Sequence, residues 1–130
     1  MEINIPGVVE EVTAAFARYE AALVSNDLEV LDASFWVDPC TIRYGVGEIL
    51  HGMAEIRAFR TARLTAGLMR ATERTVITTF GHDFATASTL FRREAMVGKI
   101  GRQMQSWVRM PEGWRVVAAT VSVIPEPGVA

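Results

Sequence analysis

The sequence has little of the residues that would identify a chemistry by themselves. Its 130 residues include one cysteine and two histidines, which excludes an internal disulfide and leaves no zinc-ligand spacing. A lone cysteine usually packs in the interior, so Cys40 is predicted to be a buried, inert thiol in a protein of the reducing cytoplasm. The chain also lacks a nucleophile elbow, a P-loop and a dinucleotide-binding fingerprint. Neither a metal nor another cofactor is therefore expected.

Basic charge and long hydrophobic runs are scarce as well. A net charge of −2 at pH 7 argues against nucleic acid as the main partner, because phosphate binding requires a basic surface. No stretch is long and apolar enough to span a bilayer, and the first residues, MEINIPGVVEEV, do not resemble a signal peptide. Hydrophobic residues make up 50% of the chain, which suffices for the core of one domain. We expect that domain to cover residues 1–124, with a flexible tail at 125–130.

The pattern of apolar residues predicts helices in the first half of the chain. Apolar positions from Val8 to Val24 recur at three- and four-residue steps, as on an amphipathic helix. Asn26 and Asp27 suit a left-handed stop followed by a helix cap. The following residues predict, in order, a short helix at 28–35, a strand at 41–44, a turn at His51-Gly52 and a third helix at 53–63.

The second half of the chain reads as a sheet. Four segments rich in alternating or β-branched residues are separated by turn signals, at 74–80, 84–94, 100–110 and 114–124. Helices first and an antiparallel meander later predict an α+β fold. Helices covering one face of a curved sheet of this size would enclose a pocket at its open end.

Two polar side chains are predicted to point into these apolar surroundings. Tyr19 lies on the apolar stripe of the first helix, either as a core tyrosine or as a pocket hydroxyl that donates to a substrate or relays a proton. Arg43 lies in the middle of a short strand, where an inward guanidinium needs a carboxylate. That carboxylate is either Glu48 or Asp38, in a structural ion pair, or a ligand held by the planar guanidinium fork.

Other candidates have weaker signals. His51 precedes a turn glycine and is either a base or a surface residue. Arg57, Arg60 and Arg63 occupy consecutive turns of the third helix, mostly as a solvated face, with Arg57 or Arg60 able to reach the pocket mouth. Alternation on the last strand puts two sets of side chains on opposite faces: a small polar set, Ala118, Thr120 and Ser122, for a cavity floor or dimer interface, and a core set, Val117, Ala119, Val121 and Val123. On the preceding strand, a cavity wall or an interface ladder is predicted for Gln103, Gln105, Trp107 and Arg109.

Several sequence words carry a resemblance to a known family. The segments ARYEAALVSND, LDASFWVDPCTIRYGVGE, ERTVITTFGHDFATASTLFRRE and GKIGRQMQSWVRMPEGWRVVAATVS resemble the AtzH-like family, which includes HpxZ-like oxalurate-catabolism proteins. This family lies in the SnoaL-like branch of the nuclear transport factor 2-like (NTF2-like) superfamily. The resemblance implies a cone-shaped, cystatin-like α+β barrel with N-terminal helices on a curved, mainly antiparallel sheet. It also implies a homodimer formed through the sheet, and work beside amidohydrolases in s-triazine or ureide nitrogen catabolism.

The resemblance also implies which residues form a site. A helix-one tyrosine and a strand-one arginine act in the branch that hydrolyses 1,3-dicarboxyurea, and they correspond to Tyr19 and Arg43. The substrate pocket is expected to include Tyr44, Glu48, His51, Gln105, Trp107, Thr120 and Ser122. At Thr120 the chain departs from the family, whose members usually carry a histidine. A hydroxyl cannot replace that imidazole as a base near neutral pH, and the change is either natural or engineered.

Three functions are compatible with these residues. The first is a small, metal-independent amidohydrolase that acts on a C–N bond of a carboxylated urea, with a small anionic carboxylate as substrate. The second is a non-catalytic anion-binding or accessory protein for a neighbouring amidase, because the fold hosts enzymes and binding modules alike. The third and weakest is an isomerase or cyclase, which would need an inward Asp or Glu. Nucleic acid and membrane are not expected as partners.

Overall fold

A computed structural model gives the structure of the protein and describes residues 1–128. Within this range there are three helices: α1 (Pro6–Ser25), α2 (Leu28–Ala33) and α3 (Met53–Ala62). There are also six strands: β1 (Ile42–Tyr44), β2 (Ile49–His51), β3 (Ala71–Phe80), β4 (Phe84–Arg92), β5 (Lys99–Met110) and β6 (Gly113–Pro125). Of the helices in this range, none combines the length and hydropathy needed to cross a membrane.

Helix α1 follows the predicted pattern closely. Pro6 occupies its first turn, where the missing N–H costs nothing, and the buried stripe runs from Val8 to Leu23. Asn26 ends the helix in the left-handed conformation at φ 54°, which asparagine tolerates better than most residues. Asp27 then caps α2 by accepting a hydrogen bond from the Val30 N–H at 3.3 Å.

The six strands form one sheet in the order β2-β1-β6-β5-β4-β3. Strands β3 to β6 pair antiparallel with their neighbours, whereas β1 pairs parallel with β6. The helices pack on one face, where α1 contributes much of the core. This arrangement confirms the predicted α+β fold with helices on a mainly antiparallel sheet.

The strand β2 has no counterpart in the sequence prediction. A turn is predicted at His51-Gly52, but His51 is the last residue of β2 and lies opposite Ile42. Gly52 follows at φ 88° and precedes α3. The prediction of a turn at His51 is wrong because a strand of three residues is too short to show alternation.

A register shift between Ser106 and Trp107 changes which valine of β6 is buried. Trp107 lies opposite Val116, but Ser106 lies opposite Ala118, so Val117 is the extra residue of a bulge. An extra residue exchanges the faces of the strand on either side of it. Val116 is therefore fully buried, and Val117, which is predicted to lie in the core, is half-buried.

Cys40 is exposed, so the prediction that it is a buried packing residue is wrong. It lies in the turn after Asp38-Pro39, and its backbone N–H donates to Asp38 Oδ1 at 2.8 Å. The Asp38 carboxylate raises the pKa of the Cys40 thiol, through a hydrogen bond and through its charge. A raised pKa leaves a smaller fraction of the thiol as thiolate at neutral pH.

Part of the predicted flexible tail is held against the sheet. Pro125 is the last residue of β6. The Glu126 N–H donates to the Gly98 carbonyl at 2.9 Å, and its carboxylate pairs with Arg92 at 2.5 Å. The remainder of the predicted tail, residues 129–130, lies outside the described residues.

One close approach between β4 and β5 depends on a missing side chain. Gly101 lies opposite Phe91, and a Cβ atom at Gly101 would overlap the Phe91 ring. Phe91 is fully buried, so its ring has little room to move. We expect Gly101→Ala to lower the free energy of unfolding by about 1–3 kcal/mol, the usual cost of overpacking a core.

Urea unfolding measures this effect, with Gly47→Ala as the matched control. A Cβ atom at Gly47 meets nothing within 4 Å, so that variant should stay within about 0.5 kcal/mol of the parent. Equal stability of the two variants would mean that Phe91 yields freely, contrary to this expectation.

Candidate active site

A small cavity opens between α1, the segment after α3 and the inner face of the sheet. Its volume is about 210 Å³, below the roughly 300–1,000 Å³ of pockets for drug-sized ligands. It is lined by Tyr19, Leu23, Arg43, Val46, Glu48, Phe59, Arg63, Gly67, Leu68, Arg70, Arg93, Gln103 and Val121. The site therefore suits a ligand of few atoms, and its walls are unusually rich in arginine.

Tyr19 reaches this cavity from the buried stripe of α1. Its side chain is 4% exposed, and its ring packs against Phe35 with the centroids 6.1 Å apart. Within residues 1–128 the Tyr19 hydroxyl makes no hydrogen bond to the protein, although a buried tyrosine hydroxyl usually finds a partner. It is therefore available to a bound ligand.

Arg43 enters the cavity from β1 and is paired with Glu48. Its Nη1 atom lies 2.6 Å from Glu48 Oε1, and its guanidinium carbon lies 5.5 Å from the centroid of the Phe59 ring. The structure thus selects Glu48 among the carboxylates considered for Arg43. The remaining guanidinium nitrogens of Arg43 form no hydrogen bond with described side chains, so the pair does not use the whole fork.

Arg70 forms a second ion pair in the cavity wall. It pairs with Glu20 of α1 and donates from Nη2 to Gln103 Oε1 at 3.0 Å. Its guanidinium carbon lies 4.4 Å from the centroid of the Phe91 ring. Glu20, Gln103 and Phe91 hold Arg70 on three sides, which makes it a rigid part of the wall.

Arg63 and Arg93 also line the cavity, but no carboxylate within residues 1–128 pairs with either. Nε and Nη2 of Arg63 and Nε of Arg93 are buried without a hydrogen-bond partner among the described residues. Burial lowers the pKa of the Arg63 guanidinium, and the positive charge of Arg43 lowers it further. Burial likewise lowers the pKa of Arg93, and Arg70 adds to this effect.

The cavity carries an excess of positive charge. Four arginines line it, and the two carboxylates that contact them are Glu48 and Glu20. Four positive charges against two negative ones leave an excess of two. A site with this excess favours a dianion over a neutral ligand, since electrostatic attraction is stronger where water is scarce.

Two residues predicted for the pocket lie in the core instead. Gln105 and Trp107 are 2% and 1% exposed, and the Trp107 indole N–H donates to Gln105 Oε1 at 3.1 Å. They share a face of β5 with Gln103, which alone of the three lines the cavity.

The other predicted pocket residues lie on the opposite side of the sheet. The Tyr44 hydroxyl and His51 Nε2 are 3.2 Å apart on the exposed side. Thr120 is exposed beside Tyr44 on the neighbouring strand, and the Ser122 hydroxyl accepts a hydrogen bond from Arg102 at 3.0 Å. Of the predicted set, the cavity thus contains Tyr19, Arg43 and Glu48. The four residues on the outer side of the sheet do not line it.

Two arginines of α3 have a structural role. Arg60 is 3% exposed, pairs with Asp32 at 3.1 Å and lies over the Phe35 ring at 4.3 Å. Arg57 approaches the same carboxylate at 3.5 Å. Both therefore bind α3 to α2, and neither lines the cavity.

The arginines that do reach the cavity are harder to find from sequence. Arg63 is expected on a solvated face, but it follows the end of α3 and turns towards the site. Sequence reasoning missed Arg70 and Arg93 altogether. Arg70 immediately precedes β3 and Arg93 immediately follows β4, so neither belongs to a periodic pattern that would indicate its direction.

The described part of the chain offers no obvious metal site. Within residues 1–128, no group of three His, Cys, Asp or Glu side chains is placed to hold a metal ion.

The family of the chain follows from comparison with family models. The model of the AtzH-like family matches residues 1–127. The chain belongs to the AtzH-like family. Among curated proteins, none matches it.

Several solved structures resemble the chain. A protein of unknown function from the DUF3225 family of Pectobacterium atrosepticum is 61% identical, with 94% of each chain covered and a TM-score of 0.92. A cystatin-like fold protein from Burkholderia xenovorans is 50% identical, with 98% of this AtzH-like chain and 99% of the other covered and a TM-score of 0.93. A nuclear transport factor 2-like superfamily protein from Salmonella enterica, at 23% identity and a TM-score of 0.74 over 95% and 96% of the chains, shares the fold.

The Arg43–Glu48 pair yields a prediction for this AtzH-like protein. An incoming anion must share Arg43 with Glu48 or displace the Glu48 carboxylate. Glutarate, a small molecule with a carboxylate at each end, serves as the probe. We expect Glu48→Gln to raise its affinity by roughly tenfold, the value of one charge-assisted contact. Calorimetric titration measures this change. Glu10→Gln, an exposed carboxylate of α1, is the matched control and should leave the affinity unchanged. Equal effects of the two substitutions would show that Glu48 does not restrict the site.

Proposed function

We propose that this AtzH-like protein is a metal-independent amidohydrolase acting on a C–N bond of a small, carboxylated urea such as 1,3-dicarboxyurea. The observation that carries the proposal is that Tyr19, whose hydroxyl makes no hydrogen bond within residues 1–128, lines the same 210 Å³ cavity as Arg43. A donor without a protein partner and an arginine fork in one confined space suit a ligand that offers a carboxylate and a polar C–N bond. The proposed role belongs to the breakdown of s-triazines or ureides in the cytoplasm.

Each of the two residues has a defined part in the proposed reaction. Arg43 binds a carboxylate of the substrate through the nitrogens that Glu48 leaves unused. Tyr19 orients the neighbouring amide and donates its proton to the departing nitrogen. Water supplies the hydroxyl group to the carbon as the C–N bond breaks, and its remaining proton restores Tyr19.

The size and charge of the cavity argue against an isomerase or cyclase for large apolar substrates. A volume of about 210 Å³ is small for a steroid-sized or polyketide-sized molecule. Such enzymes also need an inward carboxylate as base, and the carboxylate in the lining, Glu48, is held by Arg43 at 2.6 Å.

A non-catalytic anion-binding protein, accessory to an amidase, is the second candidate. The observation that favours it is the shortage of a general base. The lining includes no histidine among the described residues, and Glu48 is engaged by Arg43. A site of this kind would bind the same small dianion but would not turn it over.

Turnover separates these two functions. In the proposed hydrolase, Tyr19→Phe should lower kcat by roughly 10²-fold or more, the usual contribution of a positioned acid, with little change in KM. Arg43→Ala should instead weaken substrate binding by about ten- to hundredfold, because charge-assisted bonds are lost. Release of CO2 from freshly prepared dicarboxyurea, above the rate without protein, measures both effects, and thermal melting checks that each variant folds.

Thr120→His is the matched control for this experiment. Thr120 lies on the outer face of the sheet, away from the Tyr19 cavity, so introducing the histidine expected from the family resemblance should leave turnover unchanged. Activity that appears only in the Thr120→His variant would contradict the roles proposed for Tyr19 and Arg43. Silence in every variant, with saturable binding of glutarate, would favour the accessory protein.

The outer face of the sheet supports a further proposal, that the protein is a homodimer. Met104 and Val76 are 49% and 55% exposed on this face, and Thr120 lies directly opposite Met104. A sheet face that exposes apolar side chains of this kind suits the two-fold contact that is commonest in oligomers. The histidine that the family resemblance leads us to expect at position 120 would lie in such an interface.

Light scattering at micromolar concentration tests the dimer. We expect the parent to have twice the mass of the chain and Met104→Glu to be monomeric, because two like charges would meet across the two-fold axis. Val97→Glu, at a turn residue that is 88% exposed, should remain dimeric. A monomeric parent, or a dimeric Met104→Glu variant, would contradict this interface.

A further inference from the structure

Two arginines of the cavity are left over once the ion pairs are assigned. Arg43 is paired with Glu48 and Arg70 with Glu20. Arg63 and Arg93 keep buried guanidinium nitrogens that contact no acceptor within residues 1–128. Neither is among the residues to which the proposed hydrolysis assigns a role.

We propose that Arg63 and Arg93 form a second anion-binding arm, which holds the far carboxylate of a dianion whose near carboxylate is bound by Arg43. The inference rests on the proposed function for the nature of the ligand, and it names the residues that select a doubly charged one. Arg63 and Arg93 are specificity residues in this assignment, and Tyr19 and Arg43 keep their roles.

The first argument is the cost of an unsatisfied cation. Both arginines are half-buried, and charge withdrawn from water without a partner is unfavourable, so proteins usually neutralise or pair it. An arginine cannot escape by losing its proton, so Arg63 and Arg93 stay charged in the cavity. Their lowered pKa values have burial as the main cause. A bound anion would offset the desolvation cost of these two guanidinium groups, whereas a neutral ligand would not. The site therefore favours anionic ligands.

The second argument is that Arg93 and its surroundings are positioned in advance. The Arg93 guanidinium carbon lies 4.9 Å from the centroid of the Phe91 ring, whose other close cation is Arg70 at 4.4 Å. Phe91 is fully buried against Gly101. A fixed aromatic platform keeps Arg93 ordered without a carboxylate, and less entropy is lost when a ligand binds.

The third argument is the orientation of Gln103. Its Oε1 atom accepts from Arg70 at 3.0 Å, which fixes the amide so that Nε2 is the remaining donor. That nitrogen is buried without a partner among the described residues. Gln103 therefore adds a neutral donor to the same wall as Arg93. The described lining thus has several unpaired donors, and its one carboxylate, Glu48, is already paired. A ligand rich in hydrogen-bond acceptors matches such a lining.

A matched pair of probes isolates the second arm. Glutarate has carboxylates at both ends, with the spacing of a dicarboxylated urea, and contains no C–N bond to hydrolyse. Glutaramate, its monoamide, has nearly the same shape and one charge fewer. We expect the parent to bind glutarate at least tenfold more tightly than glutaramate, since a charge-assisted contact exceeds a neutral one by roughly this amount.

Substitution of either arginine should remove this preference. In Arg63→Gln and Arg93→Gln, glutarate affinity should fall by roughly ten- to hundredfold, while glutaramate affinity changes little. Arg18→Gln, on the exposed side of α1, should retain the preference. Arg63→Lys and Arg93→Lys keep the charge without the fork, so they should retain part of it. Equal affinity of the parent for both probes, or parallel loss of both in the Gln variants, would overturn the assignment.

Thermal melting distinguishes a binding role from a structural one. Removal of an unpaired, half-buried charge should leave Tm of the free variants equal to or above that of the parent, and it should remove the increase in Tm that glutarate causes in the parent. A lower Tm without ligand would mark the arginines as structural and contradict the proposal. Because glutarate has no C–N bond to hydrolyse, its binding is measured without turnover. Tight glutarate binding that depends on Arg63 and Arg93, in a protein that fails to hydrolyse dicarboxyurea, would support the second arm and reject the hydrolase.

Discussion

Positive charge confined in a small cavity is the constraint on which the site depends. Four arginines line a cavity of about 210 Å³. Two of them are paired with carboxylates, and the other two have no carboxylate partner within residues 1–128. Glu48 and Glu20 neutralise two of them, and the Phe91 ring supports Arg70 and Arg93. The absence of a side chain at Gly101 leaves room for that ring. A glycine on β5 thus helps to position the two arginines that pack on Phe91.

The sheet separates two roles by the alternation of its side chains. On β6, Val121 lines the arginine-rich cavity, while Thr120, its neighbour in sequence, is exposed on the other face. This alternation explains why Thr120, in one of the segments that carry the family resemblance, lies away from Tyr19 and Arg43. A change at position 120 acts on the outer face, whereas the chemistry of the inner face has its own residues.

Much of the fold and part of the site could be predicted from sequence. The stripe of α1 has a period that places Tyr19 inside, and the meander has clear turns between long strands. Arg43 and Glu48 are close in sequence, so their meeting was one of the expected alternatives. The other cavity arginines come from a helix end and two strand ends, and only the tertiary fold brings them together. Cys40 and Val117 differ from expectation for local reasons, a turn after proline and a bulge, which periodicity does not reveal.

The parallel pairing of β1 with β6 has a consequence for how the protein forms. Arg43 lies opposite Ala119, near the other end of the chain, and β1 has its second neighbour only in the three-residue β2. So short a hairpin is marginally stable alone, and contacts between distant parts of a chain form late because loop closure is costly. The wall that carries Arg43 is therefore completed only after the last strand has docked. A chain still emerging from the ribosome would have α1 with its tyrosine, but no assembled binding site, until β6 has been made.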